Sequence, residues 1–170
     1  MKFEGPLNHF ENDNEESAAG TYTEEAVVIA DNIVHGNAIL IKKIEFDLND
    51  PQDIPAAGAG AEQNEAHVAR KSKTAIQDIS DDDVIAQHRV FTYGDGVDAL
   101  FSDRSNLENP VTFGDEKADG IIFPYKYMYF AVKSSNAAST ATARTRVWYY
   151  PITLSDKELS EVTQEAIINA

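Results

Sequence analysis

Two acidic runs hold the residues best suited to ligand chemistry. Asp78-Ile79-Ser80-Asp81-Asp82-Asp83 and Asp115-Glu116-Lys117-Ala118-Asp119-Gly120 each gather carboxylates in what reads as a loop. Hard oxygen ligands carried on loops are what calcium requires, although neither run has the twelve-residue spacing of a helix-loop-helix site. Asp81 and Asp83 are therefore the metal candidates, for calcium or another cation. An acid-rich composition offers the plainer alternative of ordinary acidic loops.

Other chemistries find less support. The four histidines, His9, His35, His67 and His88, lie at unrelated spacings, and no pair has the four-residue helical separation of a zinc hydrolase. His88 falls inside a strand-like run that would fix its ring, so a hydrolase built on this chain would have to use it together with a carboxylate. No serine sits in a Gly-x-Ser-x-Gly elbow, and neither a phosphate loop nor a triple-glycine dinucleotide fingerprint is present. With 29 acidic side chains, carboxylate pairs for glycoside chemistry arise by arithmetic alone and carry no information. The chain is expected to have no catalytic residue and no cofactor. One binding alternative remains: Tyr125, Tyr127, Tyr129, Trp148, Tyr149 and Tyr150 could form a sugar-stacking platform, although aromatics at strand spacing more often belong to cores or subunit interfaces.

The elements that must position these residues read as short strands. Ala26 to Ala30 is one apolar run. Ala38 to Leu48 is a longer one, in which Ile44, Phe46 and Leu48 alternate with Glu45 and Asp47, the period of a half-buried strand. His35-Gly36-Asn37 between them is turn chemistry and predicts a hairpin. Asn49-Asp50-Pro51 ends the second run, and the small-residue stretch Ile54 to Ala61 reads as a surface loop. Val68 to Ile79 is basic and poorly alternating. Val84 to Tyr93 is a strand stopped by Gly94-Asp95-Gly96, and long loops are expected over 49–66 and 94–120. Ile121 to Val132 has the two apolar faces of a central strand, with Pro124 near its start or on a bulge. Thr142 to Thr153 reads as its antiparallel partner across a loose polar loop. Ser155-Asp156-Lys157-Glu158 fits a capping box, and Leu159, Val162, Ala166 and Ile167 continue at helical spacing, so one helix is predicted over 156–168.

The 170 residues suit one domain that can close a core without cross-links, and the absence of cysteine removes disulfides and thiolate metal sites. The first 20 residues are acidic with few anchors and read as a flexible N-terminal arm, ordered only by a partner; residues 21–170 form the domain. No apolar run approaches the roughly 20 residues of a membrane span, and the N-terminus lacks a signal-peptide core, so a soluble chain is expected. A formal charge of -15 argues against nucleic acid, whose phosphates it would repel. That charge is best tolerated in a salt-rich habitat, because the Debye length falls to about 3 Å in 1 M salt.

In plan, size and composition, from about Thr21 through the last aromatic strand into Leu154-Ser155-Asp156-Lys157-Glu158-Leu159, the chain resembles the small single jelly-roll major capsid proteins of membrane-containing icosahedral viruses of halophilic archaea. The resemblance implies an all-β, antiparallel sandwich or barrel of jelly-roll type, with about eight strands and one short C-terminal helix. It implies a virion subunit synthesised in the host cytoplasm. Its partners would be other copies of itself and a second, larger capsid protein, close to an internal viral membrane, with no nucleic acid bound. The rival reading is a carbohydrate-binding β-sandwich that uses the tyrosine and tryptophan face.

Overall fold

A computed structural model describes residues 1–29, 36–51, 62–94, 99–104, 109–135 and 139–168. Two antiparallel sheets face each other. In the six-stranded sheet, β1 (Lys2–Phe3) and β2 (Asn8–Glu15) both pair with β11 (Thr142–Thr153). Strand β11 pairs with β4 (Asn37–Leu48), which then takes up the short β8 (Val111–Thr112) and β9 (Ile121–Phe123). The five-stranded sheet runs β3 (Thr23–Val28), β10 (Tyr127–Ser135), β5 (Glu62–Ala69), β6 (Val84–Gly94) and β7 (Ala99–Arg104). With the two-residue β1 and β8 and the edge strand β7 set aside, β2-β11-β4-β9 faces β3-β10-β5-β6, and the chain crosses between sheets as in a jelly roll.

The alternation along β4 and β11 builds the core. Ile44, Phe46 and Leu48 point inward against Val68, Val90, Phe123, Phe130 and Val147, while Glu45 and Asp47 face away. Each of these large side chains contributes about 1.5–3 kcal/mol by leaving water. The period changes where the register skips from Trp148 opposite Lys43 to Tyr149 opposite Ile41. Lys42 is thus an extra residue in β4, and the bulge puts Ile39 and Ile41 on the same inner face as Ile44. Outside this sheet a second cluster of Ala38, Leu40, Ile152 and Leu154 packs with Phe3, Tyr150 and Leu159. Leu159 belongs to α1 (Asp156–Ile168), so the helix covers the apolar half of the outer face. Its capping box forms as the sequence predicts: Ser155 N donates to Glu158 Oε2 at 2.9 Å, and Glu158 N donates to Ser155 Oγ at 3.4 Å. No helix of the described residues is long and apolar enough to cross a membrane.

Several expectations are corrected. The presumed flexible arm contains β1 and β2, and β2 is the first strand of the roll, in register with β11 from Asn8 opposite Tyr149 to Glu15 opposite Thr142. No hairpin joins β3 and β4, which lie in different sheets. Gly36 does adopt a left-handed φ of 77°, but its close neighbour is Leu154 O, which a Cβ at this position would meet. His35 and the stretch from 54 to 61 lie outside the described residues. Strands β10 and β11 are not partners either: their connection crosses from one sheet to the other. Pro124 falls between β9 and β10, since a residue without an N–H cannot continue the ladder. Finally, β5 begins at Glu62, inside the expected 49–66 loop.

Candidate functional site

On the outer face of the six-stranded sheet, the half not covered by α1 is organised in rows across β2, β11 and β4. Arg144 stands opposite Asp13 on one side and Asp47 on the other, Arg146 opposite Glu11 and Glu45, and Trp148 opposite His9 and Lys43. The Arg144 Nε meets Asp13 Oδ1 at 2.7 Å, and the Arg146 guanidinium reaches Glu11 at 2.6 Å and Glu45 at 3.7 Å. Beside them the His9 and Trp148 ring centroids lie 4.7 Å apart, and Lys43 Nζ sits 5.0 Å from the centroid of the indole. Hydrogen bonding to Asp13 holds the exposed Arg144 above its ordinary pKa. Such exposed pairs are weakened by solvent and salt screening, so they set register and surface character rather than stability. Two open grooves, of about 360 and 470 Å³, flank Arg144. The signal was present in the sequence, where Arg144-x-Arg146 matches Glu11-x-Asp13 and Glu45-x-Asp47 at strand spacing.

The opposite outer surface carries a strap, residues 70–83, between β5 and β6. Its ends are tied by Arg70 N donating to Asp83 O at 2.8 Å. Here Asp81 and Asp83 come together as the sequence suggested, but around an ammonium. Lys73 Nζ donates to both Asp81 oxygens at 3.0 Å and to Asp83 Oδ2 at 3.0 Å. Burial alone would lower the Lys73 pKa, and the hydrogen bonds to Asp83 and Asp81 outweigh it and raise the value. The Asp83 backbone N–H, then Lys73, hold Asp81 below its ordinary range. The second acidic loop is also built on a lysine. Lys42 Nζ donates to the carbonyls of Glu116 and Asp119, each at 2.6 Å, and of Gly114 at 3.2 Å. Calcium would have to displace an ammonium at either loop. Among the described residues, no group of three or more histidine or acidic side chains is placed to hold a metal ion.

The remaining sequence candidates separate. His88 is 3% exposed and stacks on Phe46 with ring centroids 6.0 Å apart and planes at 19°, so it is a core histidine. The six aromatics divide between sheets. Tyr127 and Tyr129 sit on β10, 6.5 Å apart, whereas Trp148, Tyr149 and Tyr150 sit on β11. Tyr149 packs into the main core, Tyr150 joins the cluster under α1, and Tyr125 packs edge-on against Phe123. They do not make one platform.

Sequence reasoning missed a buried polar cluster under the strap. His67, 1% exposed, accepts a hydrogen bond at Nδ1 from Gln77 N at 3.2 Å, and its Nε2 faces the Tyr22 hydroxyl at 3.4 Å. Tyr22 donates to Glu24 Oε2 at 2.7 Å, and Glu24 also accepts from Ser72 Oγ at 2.6 Å and Lys73 N at 2.9 Å. Burial lowers the His67 pKa to about 4, and burial together with the Glu24 carboxylate raises that of Tyr22. A single alternate residue in a polar strand gives no sequence signal for such a role.

No protein-family model and no curated protein sequence matches the chain. Solved structures do. VP1 of Trichodysplasia spinulosa-associated polyomavirus has a TM-score of 0.51 at 7% sequence identity, over 91% of this chain and 99% of that one. VP1 of Merkel cell polyomavirus, in complex with 3'-sialyllactosamine, has a TM-score of 0.52 at 5% identity over 91% and 99% of the two chains. Its unassembled pentamer scores 0.50 at 6% identity, again over 91% and 99%. These neighbours are capsid proteins of jelly-roll fold, and at such identities the likeness is one of fold: this chain is an all-β, antiparallel jelly-roll sandwich with one short helix.

Proposed function

We propose that the chain is a structural subunit of a virion: a single jelly-roll capsid protein that assembles with copies of itself, and with a second, larger capsid protein, into an icosahedral shell. The observation that carries this reading is the extent of the likeness. The strands are ordered β2-β11-β4-β9 over β3-β10-β5-β6, and the match covers 91% of this chain and 99% of the polyomavirus neighbour. A shell subunit needs edges and outer faces rather than a reaction centre, and needs no enzyme activity. The charged rows around Arg144 and Arg146 and the strap over β5 and β6 are surfaces of that kind. Location in the virion after synthesis in the host cytoplasm, an internal membrane nearby and a salt-rich, archaeal host belong to the same proposal. They are supported by composition and by the resemblance of plan.

Electron microscopy of the purified chain in molar potassium chloride, alone and with the other structural proteins of the same virion, tests the reading. Ordered capsomers or shells are expected, and dispersed single subunits in both samples contradict it. A second reading, carbohydrate binding, is favoured by the sialylated glycan bound to the Merkel cell polyomavirus neighbour and by the exposed Tyr127 next to Tyr129. A glycan array read with wild type and Tyr127→Ala separates them: binding lost in the variant supports this second reading, and no binding removes it.

A further inference from the structure

We propose that His67 is an acid-operated latch: protonation of its ring releases the 70–83 strap from the outer face of the β3-β10-β5-β6 sheet. This inference does not rest on the capsid reading. A backbone N–H can only donate, so the 3.2 Å contact from Gln77 N requires an unprotonated Nδ1. The ring proton therefore sits on Nε2, aimed at the Tyr22 hydroxyl 3.4 Å away, which in turn donates to Glu24. Glu24 receives Ser72 Oγ and Lys73 N, so this part of the strap is held by one carboxylate and one neutral imidazole, both on the sheet side, while Asp78 farther along pairs with Arg89 of β6 at 3.5 Å. Adding a proton to Nδ1 removes the acceptor and sets two N–H groups head to head.

It also creates a cation at a position 1% exposed. The charged groups that face it are Glu24 and Asp81, which attract it, and Lys73, which repels it. The flanking strands offer no compensation, since His67 lies between Ala131 of β10 and Gln87 of β6. Burial accordingly lowers the ring's pKa to about 4, against about 6.5 for a ring released to water. The released form is favoured about tenfold more for each pH unit of acidification across that window.

Hydrogen exchange of the full chain, corrected for intrinsic rates, reads the latch. Between pH 7 and pH 5, protection of peptides within 70–83 should fall about twentyfold, while peptides from β10 and β11 hold theirs. Unchanged strap protection in wild type overturns the proposal. In His67→Asn the amide oxygen can accept from Gln77 N and cannot titrate, so the acid-induced loss should disappear. A loss that persists in this variant arises elsewhere than at the His67 ring and also overturns the proposal. Should His67→Asn not fold, the carbon shifts of the wild-type imidazole decide. Titration far below about 6.5 is expected, and an ordinary histidine midpoint overturns it.

Discussion

The buried polar residues of this chain act through backbone groups that would otherwise lie unpaired. Glu16 is 3% exposed and accepts from Ser134 N at 2.5 Å and Ala141 N at 2.7 Å, tying the crossing between β10 and β11 to the end of β2. Glu16→Ala leaves both donors buried and should cost about 2–5 kcal/mol, read as a lower urea midpoint with an unchanged slope. Glu16→Gln keeps one acceptor oxygen and should lose less. The two calcium candidates show what sequence spacing alone does not reveal. Asp81 and Asp83 were legible as a pair, but Lys73 fills the space between them, and a cation eight residues away in a loop has no signature. Wild type should therefore show the same thermal midpoint in calcium and magnesium at matched ionic strength; a calcium-specific rise would show that Lys73 yields its place. Acid acts on His67 with a definite sign. Its pKa is lower folded than unfolded, so the unfolded state binds more protons between pH 6.5 and 4, and stability falls as pH falls through that window. The full effect is about 3 kcal/mol, and a urea midpoint measured at pH 7 and pH 4.5 should reveal most of it.

At the level of elements, sequence patterning identified those whose inner faces are apolar and missed those whose inner faces are polar. Strands β4, β6 and β11 and helix α1 were legible because Ile44, Phe46 and Leu48, or Leu159 after a capping box, announce their period. Strand β2 was not, because in Asn8–Glu15 the inward residues below Phe10 are Asn12 and Asn14. Their amide NH2 groups donate across the sandwich, that of Asn14 to Phe130 O at 2.9 Å and that of Asn12 to Glu25 at 2.8 Å. The same holds for β5, whose Glu62 and Asn64 are buried yet fall within the expected 49–66 loop. Pairings between strands were the other failure. Neighbours in sequence pair in most β-proteins, but in a jelly roll β3 and β4, and β10 and β11, cross between sheets. Removing residues 1–16 therefore tests the corrected view. An arm would be dispensable, whereas loss of β1 and β2 should strip one edge of β11 and uncover Phe130 beside Phe10, abolishing cooperative unfolding in a urea titration.

Across the whole molecule, the acid excess is arranged as a coat. Of the residues behind the net charge of -15, the described acids other than the buried Glu16, Glu62 and Glu65 line strand exteriors and loops, and even the arginine-bearing β11 is flanked on both sides by carboxylates. Their mutual repulsion is long-ranged at low ionic strength and screened in molar salt. The thermal midpoint should rise steadily from low to molar potassium chloride, and a flat or falling midpoint would remove the salt-rich habitat from the account. The same screening would have to operate before copies of so acidic a chain could meet edge to edge or face to face. The central claim, that this jelly roll is a shell subunit, is therefore tested most directly by sedimentation velocity in molar potassium chloride across a range of protein concentrations. Species of several subunits that grow with concentration are expected, and a single monomeric boundary at every concentration rules out a shell role.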